Sequence, residues 1–126
     1  MPVFLAAPCV SMIVRHDLRR CLGGGRNRVS AERVISGPGL ADTFEYLLTL
    51  HPELDNHPIT TEFHGAAKAD KPVVVATHAE EGDVLCTQAM SMLMTAYGAE
   101  AGNVALKFIP LGGLYIAGGL APKNKV

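Results

Sequence analysis

The chain has 126 residues, 48% of them hydrophobic and 18% charged, with 11 basic side chains against 12 acidic ones for a formal charge of −1. That composition fits a globular protein with a modest core and excludes a disordered chain, and the near-neutral balance supplies no long-range field toward nucleic acid or an anionic membrane. No apolar run reaches the roughly 18 residues that a spanning helix needs, and three cysteines without a CxxC pair fit reduced thiols in a cytoplasmic protein better than a disulfide framework.

The opening Met1-Pro2-Val3-Phe4-Leu5-Ala6-Ala7-Pro8 is apolar but has no basic residue ahead of it, so a secretory signal is a poor reading. From Cys9 to about Leu22, Val10, Ile13, Val14, Leu18 and Leu22 recur at three and four residues with Arg15, Asp17, Arg19 and Arg20 between them, which predicts an amphipathic helix. Gly23-Gly24-Gly25 ends it, and a basic loop through Arg26 and Arg28 follows.

Ser30 is placed to cap a short helical turn through Ile35, and Ser36-Gly37-Pro38-Gly39 breaks the chain before a second helix whose face carries Leu40, Phe44, Leu47 and Leu48. Residues 51–58 read as a loop bracketed by Pro52 and Pro58, with Thr60 or Thr61 capping a short helix to about Ala69. Val73-Val74-Val75-Ala76-Thr77 is a strand by propensity, although so short a run equally starts or extends a helix. A long helix is expected from about Glu81 to Phe108; Leu85, Ala89, Met92, Ala96, Ala99, Val104 and Phe108 drift around its axis as in a nearly buried helix. Pro110-Leu111-Gly112-Gly113 stops it, and Leu114-Tyr115-Ile116-Ala117 reads as a compact strand running into Gly118-Gly119.

Two stretches go beyond generic pattern. One is Val29-Ser30-Ala31-Glu32-Arg33-Val34-Ile35-Ser36-Gly37-Pro38-Gly39-Leu40, with a glutamate one helical turn before a Ser-Gly-Pro-Gly break. The other is Leu111-Gly112-Gly113-Leu114-Tyr115-Ile116-Ala117-Gly118-Gly119-Leu120-Ala121-Pro122-Lys123. Both resemble the bacterial glucokinase family, sugar kinases of the actin and hexokinase fold, and Tyr97 to Leu106 resembles the helix rich in small residues that lies between these motifs in that family.

The resemblance implies an α/β fold, an incomplete, helix-dominated copy of the ribonuclease-H-like C-terminal domain with a strand near 113–117, truncated at both ends over residues 1–126. It implies that Glu32 is a sugar ligand, a role that suits a carboxylate accepting charge-assisted hydrogen bonds from hydroxyls. Ser36, Gly37, Pro38 and Gly39 would line the nucleotide side of a cleft, where backbone N–H groups approach phosphate or ribose, and Gly118 and Gly119 would lie against adenosine. The family's glycine-rich phosphate loop, its catalytic aspartate and its Glu-His sugar motif have no counterpart here, so no catalytic residue is assigned. The complete enzyme would transfer the γ-phosphoryl of MgATP to glucose, with ATP and Mg2+ as cofactors and a homodimer allowed, and the piece alone is expected to be inactive. A non-catalytic sugar-sensing module and an inactive relic are the rival readings.

The remaining chemistry-bearing residues read blandly. Glu32 outside its motif would be an ordinary solvated glutamate. His16, His51, His57, His64 and His78 have no three- or four-residue pair to hold a metal, Cys9, Cys21 and Cys86 lack an adjacent activating group, and Met90, Met92 and Met94 fill core gaps. The arginines 15, 19, 20, 26 and 28 form a solvated face without stacking aromatics.

Overall fold

A computed structural model describes residues 30–119. The expected helix at 9–22, its glycine stop and the basic loop lie outside the described residues. A 3-10 turn at Ala31–Arg33 leads into α1 (Gly37–Leu50), and a second 3-10 turn at Pro52–Leu54 leads into α2 (Pro58–Gly65). Then come α3 (Lys71–Glu80) and the 25-residue α4 (Val84–Phe108), after which residues 113–117 take no regular secondary structure.

Prolines set most of these starts. Pro38, Pro58 and Pro72 occupy the first or second position of α1, α2 and α3, where a missing N–H costs nothing and the fixed φ favours the helix. α4 starts without one; the Asp83 carboxylate instead accepts from the Cys86 N–H at 2.8 Å. It ends at Ile109, whose φ of 45° is left-handed and whose N–H reaches the Ala105 carbonyl at 2.9 Å. Pro110 cannot continue the helix, and a β-branched residue thus takes a conformation usually left to glycine.

The core sits where α1, α3 and the first half of α4 meet, with α2 closing it. Leu40, Phe44, Leu47 and Leu48 of α1 pack with Phe63, Val75, Leu85, Cys86, Ala89 and Leu93. Phe44 and Phe63 meet edge to face with centroids 4.9 Å apart, and the Lys71 ammonium lies 4.5 Å from the centre of the Phe63 ring. No helix among the described residues is long and apolar enough to cross a membrane.

The helix-dominated expectation holds, one choice left open is settled and three local readings are corrected. Val73 to Thr77 belongs to a helix, because Val75 is buried in the core on the face α3 turns to α1 and α4, and this packing outweighs β-propensity. The Ser-Gly-Pro-Gly sequence is not a break ahead of α1 but its cap and first turn. α2 begins at Pro58 and ends at Gly65, with Thr60 buried in its interior and making no cap. Leu114 to Ala117 is not a strand, because no segment among the described residues pairs with it.

Candidate functional site

Glu32 stands at the centre of the 3-10 turn, its side chain exposed. The turn is held by backbone, since the Ser30 carbonyl accepts from the Arg33 N–H at 3.1 Å while the Ser30 side chain makes no cap bond, contrary to the role expected of it. Val34 anchors it from below, buried against Ile35, Tyr46, Met92 and Ala96. Glu32 is thus presented by a short, pinned segment.

Ser36 caps α1: its Oγ accepts from the Gly39 N–H at 3.1 Å, and its carbonyl accepts from the Leu40 N–H at 2.9 Å. Pro38 has no N–H, so in the first turn the Gly37 N–H is the donor that Ser36 does not engage. Gly39 is buried, and a Cβ there would fall 2.6 Å from the Arg33 carbonyl oxygen and 2.7 Å from that of Val34. The missing side chain therefore lets α1 press against the turn that carries Glu32. Gly37 faces Pro72 at the start of α3, where a Cβ would find ordinary contact at 3.7 Å.

Gly118 has a φ of 107°, which favours glycine, and both Gly118 and Gly119 are exposed with open space around them. The two motifs converge just before these glycines. Ile35, preceding Ser36, and Leu114 to Ala117, preceding Gly118, line one groove of about 260 Å³ over Tyr97, Ala101 and Val104, with Glu100 at its side. Residues 97, 100 and 104 were legible as helix positions, but nothing in their spacing pointed to a groove, because its other wall comes from a segment distant in sequence.

Four ionisable groups among the described residues are shifted, Asp42, Glu53, His78 and Cys86. Asp42 in α1 is half-buried, and loss of solvent raises its carboxyl, with Glu45 adding and Arg33, Lys68 and Lys71 opposing. His78 is half-buried between two carboxylates, Nδ1 at 2.7 Å from Glu81 and Nε2 at 2.9 Å from Glu62. These hydrogen bonds, Glu62 first, raise its pKa, because carboxylates facing both ring nitrogens favour the protonated ring. Burial and the neighbouring Asp83 push the Cys86 thiol up to about 12, which makes it an inert core group. Among the described residues no three acidic, histidine or cysteine side chains are grouped to hold a metal.

A family model described as Glucokinase matches residues 13–125. The glucokinase of Synechocystis sp. is 44% identical over 105 residues, covering 76% of this chain and 30% of that protein. The glucokinase of Nostoc sp. is 41% identical over 122 residues, covering 89% and 33%, and that of Enterobacter sp. is 33% identical over 111 residues, covering 88% and 30%. No solved structure matches significantly. The chain spans about a third of the length of the curated relatives it matches. With nearly its whole length matched by that model, the chain belongs to the glucokinase family.

Proposed function

We propose that the chain is part of the C-terminal, ribonuclease-H-like α/β half of an ATP-dependent glucokinase, contributing the sugar-binding Glu32 and one wall of the nucleotide cleft. The observation that carries this reading is the shared groove, in which residues of both motifs, Ile35 and Leu114 to Ala117, lie on the same stretch of α4. Family membership supports phosphoryl transfer from ATP to glucose as the reaction.

In this reading Glu32 accepts hydrogen bonds from sugar hydroxyls, and the pinned turn beneath it limits the entropy lost on binding. Gly37 offers its N–H at the start of α1, where the helix dipole favours an anion, while Ser36, Pro38 and Gly39 hold that start in place. Gly118 and Gly119 leave the backbone open for a purine and ribose. Mg2+ arrives with the nucleotide as MgATP and is given no ligand from this chain. No residue here is assigned as the base that deprotonates the sugar hydroxyl, and the isolated chain is expected to be catalytically silent.

The test is Glu32→Gln in a Nostoc glucokinase whose counterpart of residues 13–125 is replaced by this chain's. Loss of the charge should lower kcat/KM for glucose by about 100-fold, with the KM for ATP within about threefold. Unchanged glucose kinetics would remove Glu32 from the sugar site.

A further inference from the structure

A single 3-10 turn makes too few hydrogen bonds to hold its own shape. Ala31–Arg33 has no side-chain cap from Ser30, and its backbone bonds run from the Arg33, Val34 and Ile35 N–H groups to the Ser30 and Ala31 carbonyls. Its fixed point therefore comes from the rest of the fold. Among residues 30–36 only Val34 is buried, at 4% exposure.

Contacts close on Val34 from three directions. Its side chain packs against Tyr46 of α1 and against Met92 and Ala96 of α4. Its N–H donates at 2.9 Å to the carbonyl of Ala31, the residue before Glu32. Its carbonyl oxygen lies 2.7 Å from where a Cβ on Gly39 would stand, so the missing methyl lets α1 come down upon it. Val34 forms a cluster apart from the main core, with which it shares Met92. What its burial fixes is the turn, whose one carboxylate is Glu32.

We propose that Val34 is a positioning residue for Glu32: seated between α1 and α4, it sets where the Glu32 carboxylate stands without touching the sugar itself. The inference rests on the reading of Glu32 as the sugar ligand. Hydrogen bonds to sugar hydroxyls are made over a narrow range of distance and angle, so a turn that relaxes into a cavity misplaces the acceptor.

The Nostoc glucokinase carrying residues 13–125 of this chain is the host for the test. Val34→Ala opens a cavity under the turn and lowers kcat/KM for glucose by about 10-fold, with the KM for ATP within about threefold. Val34→Thr keeps the branched shape but buries a hydroxyl. It lowers Tm about as much as Val34→Ala does, by roughly 2 to 6 °C, yet retains kcat/KM for glucose within about threefold of the parent. Added to Glu32→Gln, Val34→Ala changes kcat/KM for glucose by less than about twofold, because the carboxylate it positions is already gone. Normal glucose kinetics in Val34→Ala would overturn the inference. So would an equal kinetic loss in Val34→Thr, or a full further loss on top of Glu32→Gln, since either would make Val34 a general support. If Glu32→Gln itself has no effect, the sugar reading fails and takes the inference with it; if Glu32→Gln lowers kcat/KM and Val34→Ala does not, the positioning role fails alone.

Discussion

From Val84 to Leu93, α4 buries Leu85, Cys86, Ala89 and Leu93 against α1 and α3, whereas from Ala96 to Phe108 the same helix buries nothing fully. Both halves are apolar, and both keep their backbone hydrogen bonds, so the helix itself is indifferent to the change. What differs is cover. α1 and α3 lie over the first half, while Val34, Ile35 and the thin segment Leu114 to Ala117 lie beside the second. An apolar side chain contributes to stability only where another element removes it from water, at about 25 cal/mol per Å².

The widest contrast should come from truncating one leucine in each half. Leu93→Ala empties a fully buried site and should cost about 3 kcal/mol, while Leu106→Ala, at 81% exposure, should cost less than about 0.5 kcal/mol by urea unfolding of the isolated chain. Comparable losses would erase the distinction between the halves.

Gly39→Ala tests the junction that feeds the second half, because the Arg33 and Val34 carbonyls leave no space for a methyl group. It should destabilise by about 2 kcal/mol or more, and Gly37→Ala, with ordinary contacts to Pro72, by less than about 1 kcal/mol. If the two variants melt alike, the close approach of the Glu32 turn to α1 is wrong.

Ile109→Gly probes the far end in the stabilising direction. Releasing a β-branched residue from a left-handed φ should add about 1 kcal/mol, less what glycine adds to the freedom of the unfolded chain. A loss of stability would mean that the exposed Ile109 side chain is packed after all.

His78 gives the smallest effect and concerns the covered end. Its pKa lies above the ordinary 6.5 because Glu62 and Glu81 favour the imidazolium. The stabilisation is therefore complete below that ordinary value and fades as pH rises through the raised one, as the folded state loses its proton. Both carboxylates are well exposed, so Tm should fall by at most about 2 °C across that interval, and His78→Gln should abolish the dependence. A wild-type Tm flat across the same interval would contradict the ionised staple.

Much of this was legible because local signals agreed with their surroundings. The spacing of Leu40, Phe44, Leu47 and Leu48 marked the buried face of α1, and the stop at Pro110 placed the end of α4. Val73 to Thr77 stayed open between strand and helix because its β-branched residues were judged without the core that receives Val75. Leu114 to Ala117 misled for the converse reason, since a strand requires a partner and local sequence reports only the willingness to pair. Gly39 was singled out for the right property, a missing side chain, but the backbone it admits is the chain's own. The groove stayed hidden because Ile35 and Ala117 meet only in three dimensions.

The most direct test of the division within α4 is native-state hydrogen exchange on the isolated chain. Amides of Ala89 to Leu93 should exchange about 100-fold or more slowly than those of Ala105 to Phe108, which lie on exposed, uncovered helix. Equal protection along the whole of α4 would contradict the account, because the second half would then be covered as well as the first.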